Sequence, residues 1–202
     1  MKSEMKRWKQ PSALAAALLL LAPAIAQAHQ EAGQAAGFLA GLSHPVSGLD
    51  HVLAMVAVGL WGAVLEAPAI WVLPVAFPAV MALGGMMGLL GIPLPGIEVG
   101  IAVSAIVLGA AVLAELRPPL WLATTIVAFF AIFHGHAHGR ELPDGTSALL
   151  YSLGFVMATG LLHAFGILLG VAHRWSAGRQ AVRAAGGGVA LAGLFFLWRA
   201  LA

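Results

Sequence analysis

The hydrophobic positions of this chain fall in long runs. Six lie within residues 29–202: about Gly48 to Leu65, Ala69 to Leu90, Ile97 to Leu116, Leu120 to His136, Ser147 to Ala172 and Ala184 to Leu201. Each is close to the ~20 residues that carry a helix across a bilayer. A helix satisfies its own backbone in lipid, whereas an open strand does not. The roughly 10-residue alternation of barrel strands is missing. Short connections with proline or glycine separate the runs, namely Leu65-Glu66-Ala67-Pro68, Gly91 to Gly96 and Arg117-Pro118-Pro119. Connections this short make successive helices antiparallel neighbours. The pattern predicts an all-α membrane protein of six transmembrane helices without an extramembrane domain.

Another apolar run, from about Ala13 to Ala22, follows Lys2, Lys6, Arg7 and Lys9. Pro23 comes next, and Ala26-Gln27-Ala28 fits the small-x-small cleavage pattern. Residues 1–28 are therefore expected to be a cleavable signal peptide, the alternative being a retained anchor helix. Residues 29–202 then form one transmembrane domain. The arginines orient it. With residue 29 outside, the cytoplasmic side holds Arg117, Arg174, Arg179 and Arg183, and the outer side holds Arg140 and Arg199. N-terminus and C-terminus both lie outside, across a bacterial inner membrane.

Composition sharpens this reading. The 202 residues are 61% apolar and 9% charged, against about 25% charged in a soluble domain. That excludes an ordinary cytosolic enzyme, a coiled coil or a disordered tail. The ten Lys and Arg are scattered and form no basic stripe for nucleic acid. Residues 1–28 carry four basic and one acidic side chain, more than the whole formal charge of +2; without them six basic and seven acidic side chains remain. Cysteine is absent, so neither a disulfide nor a thiolate metal site is available. Against so few charges, eight histidines stand out.

Ionisable groups within apolar runs are costly and mark a site or pathway. The first cluster is His44-Pro45-Val46-Ser47-Gly48-Leu49-Asp50-His51. Pro45 suits the first turn of a helix, which makes His44 a cap and places His44 and His51 two turns apart on one face. Met55 lies one turn beyond His51. Asp50 can ligate a metal or orient an imidazole. Two imidazoles, a carboxylate and a thioether suit nickel, cobalt or zinc; the plainer reading is a polar cap with an Asp–His hydrogen bond.

The second cluster is His134-Gly135-His136-Ala137-His138-Gly139-Arg140-Glu141. His134 and His138 share a helical face, and His136 points elsewhere unless Gly135 breaks the helix. Glu141 stands three residues beyond His138. The run is either a metal-capture site or an undefined cation funnel. Antiparallel topology brings both clusters to the outer face. His29, which cleavage would leave at the N-terminus, joins them there with an amine and an imidazole that can chelate together. Thr159 and His163, one turn apart in the fifth run, are either a hydrogen-bonded buried pair or an inner relay. His173, Glu66, Glu98 and Glu115 read as solvated residues at run ends, and Trp71, Trp121 and Trp198 as interfacial anchors. Gly84-x-x-x-Gly88 and Gly166-x-x-x-Gly170 have the spacing for close helix approach, although glycine is common in membrane helices.

Three motifs together resemble the HupE/UreJ family. They are His44-Pro45-x-x-Gly48-x-Asp50-His51-x-x-Ala54-Met55-x-x-Val58-Gly59-x-Trp61, His134-Gly135-His136-Ala137-His138-Gly139-x-Glu141 and Ala158-Thr159-Gly160-x-x-His163-x-x-Gly166. The resemblance implies a secondary permease for nickel or cobalt, tied to hydrogenase, urease or cobalamin pathways. It also implies cytoplasmic partners that deliver nickel or mature metalloenzymes. On this expectation His134, His136 and His138 capture the ion, with Glu141 lending charge. His44, Asp50 and His51 select it, Met55 is a weak ligand, and His163 receives the ion farther in. Neither enzymatic activity nor a prosthetic group is expected. The sequence has no Gly-x4-Gly-Lys-Ser/Thr motif that would couple transport to ATP. The alternatives are a membrane cytochrome with His51 and His163 as haem ligands, a metal-dependent intramembrane enzyme, and a metal-binding accessory protein that does not transport.

Overall fold

The computed structural model describes residues 36–142 and 145–202, so residues 1–28 and His29 lie outside the described residues. All regular structure among the described residues is helical. The helices are α1 (Ala36–Ser47), α2 (Leu49–Leu65), α3 (Ala69–Leu89), α4 (Ile97–Leu113), α5 (Leu120–Arg140), α6 (Ala148–Gly170) and α7 (Ser176–Leu201), with a 3-10 turn at Val171–Arg174. Four of them, α3, α5, α6 extended through the 3-10 turn, and α7, are long and apolar enough to cross a membrane, and the bent α1–α2 pair makes a fifth candidate span. At 17 residues, α4 reaches roughly 25 Å by its rise per residue. Leu83, Phe129, Leu161, Leu168 and Leu191 all face outward. An exterior this apolar, on a multi-pass helical chain, is a lipid-facing surface.

α2 is the central helix. Ala57 to Val64 are buried without interruption, which means that this stretch is enclosed on every side, as a helix apolar all round requires. Three close pairings surround it, and glycine makes each of them possible. In α3/α5, a Cβ on Gly84 would stand 2.3 Å from the Ile132 carbonyl, and one on Gly139 2.1 Å from the Gly85 carbonyl. In α2/α6, Gly166 meets the Val56 carbonyl and Gly170 meets Ala63. In α4/α7, Gly109 and Gly186 face one another's backbone. Both four-residue glycine spacings noted above therefore carry close contacts, as expected where small residues let membrane helices touch.

Three helix boundaries differ from the sequence-based expectation. Pro45 does not begin a helix; it lies in the last turn of α1, where its missing N–H leaves only the Gly41 carbonyl without its usual donor. The chain turns at Gly48 (φ −109°, ψ 117°), and α1 and α2 meet at 83°. His44 and His51 therefore sit on different helices rather than on one face of the same helix. α5 runs through Gly135 to Arg140, and α7 begins at Ser176, eight residues before the predicted run from Ala184.

At the end remote from the histidine clusters, polar groups tie the helix ends together. Arg179 donates to both carboxylate oxygens of Glu115, with Nε to Oε1 at 2.6 Å. This guanidinium holds the Glu115 carboxyl below its ordinary range. Trp61 Nε1 donates to the Leu116 carbonyl at 2.9 Å. His173 is not a solvated loop residue: its Nδ1 lies 2.9 Å from the Gly170 carbonyl and its Nε2 3.5 Å from Glu66. Glu66 and Glu98 are exposed, whereas Glu115 is half-buried beneath Arg179.

Candidate metal site

The two histidine clusters meet at the opposite end of the bundle. The α1–α2 bend turns His44 toward the end of α5, where its Nε2 donates to Glu141 Oε2 at 2.9 Å. His138 Nδ1 lies 3.8 Å from the same oxygen. His44, His138 and Glu141 offer one ligand atom each, all within 4.8 Å of one another. The carboxylate end of this group is open to solvent, with the Glu141 side chain 57% exposed and His138 7%.

Asp50 and His51 form the first turn of α2. Asp50 Oδ1 accepts from the His51 backbone N–H at 2.9 Å and lies 3.0 Å from His51 Nδ1. An ionised carboxylate only accepts, so Nδ1 carries the ring proton and Nε2 keeps its lone pair. His51 Nε2 is buried without a partner among the described residues. This turn also explains Gly48, where a Cβ would stand 2.8 Å from Asp50 Oδ1 and 3.2 Å from His51 Nδ1.

From His51 the imidazoles continue inward. The His51 ring centroid is 4.4 Å from that of His138 and 4.9 Å from that of His134. The fully buried Phe77 then stands 5.4 Å from both His134 and His163. His44, His138, His51 and His134 thus form a connected series, and one aromatic ring lies between that series and His163. His163 and Thr159 share a face of α6, and their side-chain polar atoms are buried without hydrogen-bond partners. The proline positions on α3 fit this arrangement. Pro78 has no N–H for the Pro74 carbonyl, and His163 lies against that carbonyl without hydrogen-bond geometry.

The remaining sequence-based candidates are placed differently. His136 Nε2 donates to the Ile92 carbonyl at 2.7 Å. With α5 unbroken at Gly135, His136 is rotated about 200° from His134 at 3.6 residues per turn, and it secures the α3–α4 connection instead of joining the other imidazoles. Met55 is fully buried one turn below His51, within the apolar core. Two residues here went unnoticed in the sequence. Phe77 has no local signal. Ser104 is the only hydroxyl-bearing residue of α4, and that is a signal in an apolar span; its Oγ lies 2.9 Å from His134 Nε2. An apolar cavity of about 220 Å³ between α3, α5 and α6 reaches one edge of His138. Its lining, including Met81, Tyr151 and Phe155, offers a cation little, so the polar approach is past Glu141 and His44.

The chain is 48% identical over 193 residues to "Protein HupE" of Rhizobium leguminosarum bv. viciae, covering 96% of this chain and 99% of that one. No solved structure matches it. The family described as HupE / UreJ protein matches residues 16–196, and the chain belongs to that family.

Proposed function

We propose that this protein is a secondary transporter that takes up divalent nickel, or cobalt, across the bacterial inner membrane. The observation that carries this reading is the connected series of imidazoles. It starts at a half-exposed carboxylate and continues to fully buried rings in an otherwise apolar bundle. Ionisable residues inside a membrane domain are retained for function, and neutral nitrogen with carboxylate oxygen suits these borderline ions. His44, His138 and Glu141 capture the ion from outside. His51, oriented by Asp50, and His134 hold it next. His163, with Thr159, receives it beyond Phe77. A membrane potential of 100 mV supplies about 4.6 kcal/mol to a divalent ion, worth roughly 10³-fold accumulation. No ATP is needed.

The remaining topology belongs to the same proposal: a signal peptide over residues 1–28, six spans with α4 as the short one, and both termini outside. The histidine end then faces the periplasm and the Glu115–Arg179 end faces the cytoplasm, where nickel-delivery or maturation proteins accept the ion. A haem reading draws less support, because His51 and His163 are connected through His134 and Phe77 and not across an open slot.

Nickel uptake by cells expressing the chain should exceed uptake by cells without it, and excess cobalt should reduce it more than excess magnesium, which prefers oxygen ligands. Equal uptake with and without the chain contradicts the transport reading.

Phe77 provides a separate check. Replacing it with alanine removes the ring between His134 and His163 and should change the uptake rate more than the equilibrium affinity for nickel. An affinity change with an unchanged rate argues against a place for Phe77 between two stations.

A further inference from the structure

We infer that Ser104 is a positioning residue that fixes His134 as the Nε2–H tautomer and thereby presents the Nδ1 lone pair to the transported cation. This inference rests on the transport reading above and adds a residue that the histidine and carboxylate motifs do not contain.

Ser104 is fully buried on α4. Its hydroxyl has a single hydrogen. Oγ lies 2.6 Å from the Ile101 carbonyl one turn back, and 2.9 Å from His134 Nε2. The carbonyl can only accept, so the hydroxyl hydrogen goes to Ile101. If the hydroxyl donated to His134 instead, two oxygen lone pairs would face each other at 2.6 Å. With its hydrogen committed, Oγ can only accept from the imidazole, and Nε2 must carry the ring proton. A neutral imidazole has one N–H, which leaves His134 Nδ1 as a bare lone pair. That atom is buried and has no hydrogen-bond partner among the described residues.

His51 reaches the complementary state by a different route. Asp50 takes its Nδ1–H, so its free nitrogen is Nε2. The two rings, 4.9 Å apart and nearly perpendicular at 86°, therefore offer opposite nitrogens. A carboxylate performs this task near the surface and a hydroxyl performs it at depth, where a second charge would be costly. A hydroxyl also raises the basicity of its imidazole less than a carboxylate does. His134 is then the weaker ligand of the two, which suits a station that must release its ion inward.

The test uses purified full-length protein in lipid nanodiscs with nitrogen-15-labelled histidine. Without metal, at pH 8, nuclear magnetic resonance distinguishes protonated from bare ring nitrogens, and the resonances lost in His134→Gln identify the ring. The expected wild-type pattern is a protonated Nε2 and a bare Nδ1. Ser104→Ala should show both tautomers and bind nickel about 10- to 100-fold more weakly, the range for loss of an orienting partner. Ser104→Thr should restore both properties. A wild-type His134 protonated on Nδ1 overturns the inference, as does Ser104→Ala with wild-type affinity and an unchanged ring pattern. If Ser104→Ala does not fold, the wild-type ring pattern still decides. The tautomer is read without metal, so wild-type protein with the expected pattern that binds no nickel refutes the transport reading and not the assignment of the proton.

Discussion

His51→Ala is expected to lower nickel affinity and uptake by at least about 100-fold. The substitution removes the one imidazole among the described residues in ring contact with both His138 and His134, so it interrupts the series between the capture group and the buried rings. Loss of a group that merely orients a ligand already costs about 10- to 100-fold, and loss of the ligand should cost more. Asp50→Asn separates the two effects. Asparagine keeps the shape and one acceptor oxygen but loses the charge, and its side chain can rotate to offer an amide donor. The His51 ring is then held less firmly and in either tautomer. Asp50→Asn should fall within the 10- to 100-fold range, between wild type and His51→Ala. Equilibrium binding of nickel to the detergent-solubilised variants measures this ordering. If Asp50→Asn binds as tightly as wild type, the carboxylate does not orient His51. If His51→Ala does so, His51 is not a ligand.

The second large effect concerns packing rather than chemistry. Gly135 lies between His134 and His136, and a Cβ there would stand 1.9 Å from the Met81 carbonyl and 2.9 Å from the Gly85 nitrogen. Both obstacles are backbone, so no side-chain rotation relieves them. Gly135→Ala must push α5 away from α3, and overpacking of this kind costs about 3 kcal/mol, the upper part of its usual range. His134 and His138 would move with α5, so metal affinity should fall together with thermal stability. Gly160→Ala is the control. Nothing lies within 4 Å of a Cβ at Gly160, and alanine in an open helical position stabilises by about 0.5–1 kcal/mol. Thermal unfolding of the two variants in the same detergent should move in opposite directions. A Gly135→Ala protein as stable as wild type would show that the α3/α5 contact has room for a methyl group at this position.

The helical runs were legible because lipid-facing helices are apolar over most of their length, and five of the six began within about two residues of their expected positions. The exceptions have physical causes. Arg179 and Arg183 kept the apolar run from starting before Ala184, yet Arg179 is paired with Glu115 and Arg183 donates to the Leu113 carbonyl, so α7 starts at Ser176. Pro45 looked like a helix start because proline is favoured there, but it stands in the last turn of α1, just before the chain bends at Gly48. The ligand types were visible as ionisable groups in an apolar chain. Their pairing was not, because His44 and Glu141 are 97 residues apart and meet only through the 83° bend at Gly48. Periodicity alone set His136 apart from His134 and His138. Phe77 meets His134 and His163 from helices that are not adjacent to its own in sequence, and Ser104 meets His134 across 30 residues, so no local pattern reports either contact.

The central claim is that the imidazole series conducts a divalent cation. Purified protein in liposomes, with an imposed inside-negative potential and radiolabelled nickel outside, measures that directly. The account predicts accumulation well above protein-free liposomes, abolished by collapsing the potential and by His51→Ala, and reduced by excess cobalt. Nickel that binds to the proteoliposomes but does not accumulate inside them, whatever the potential, would contradict it.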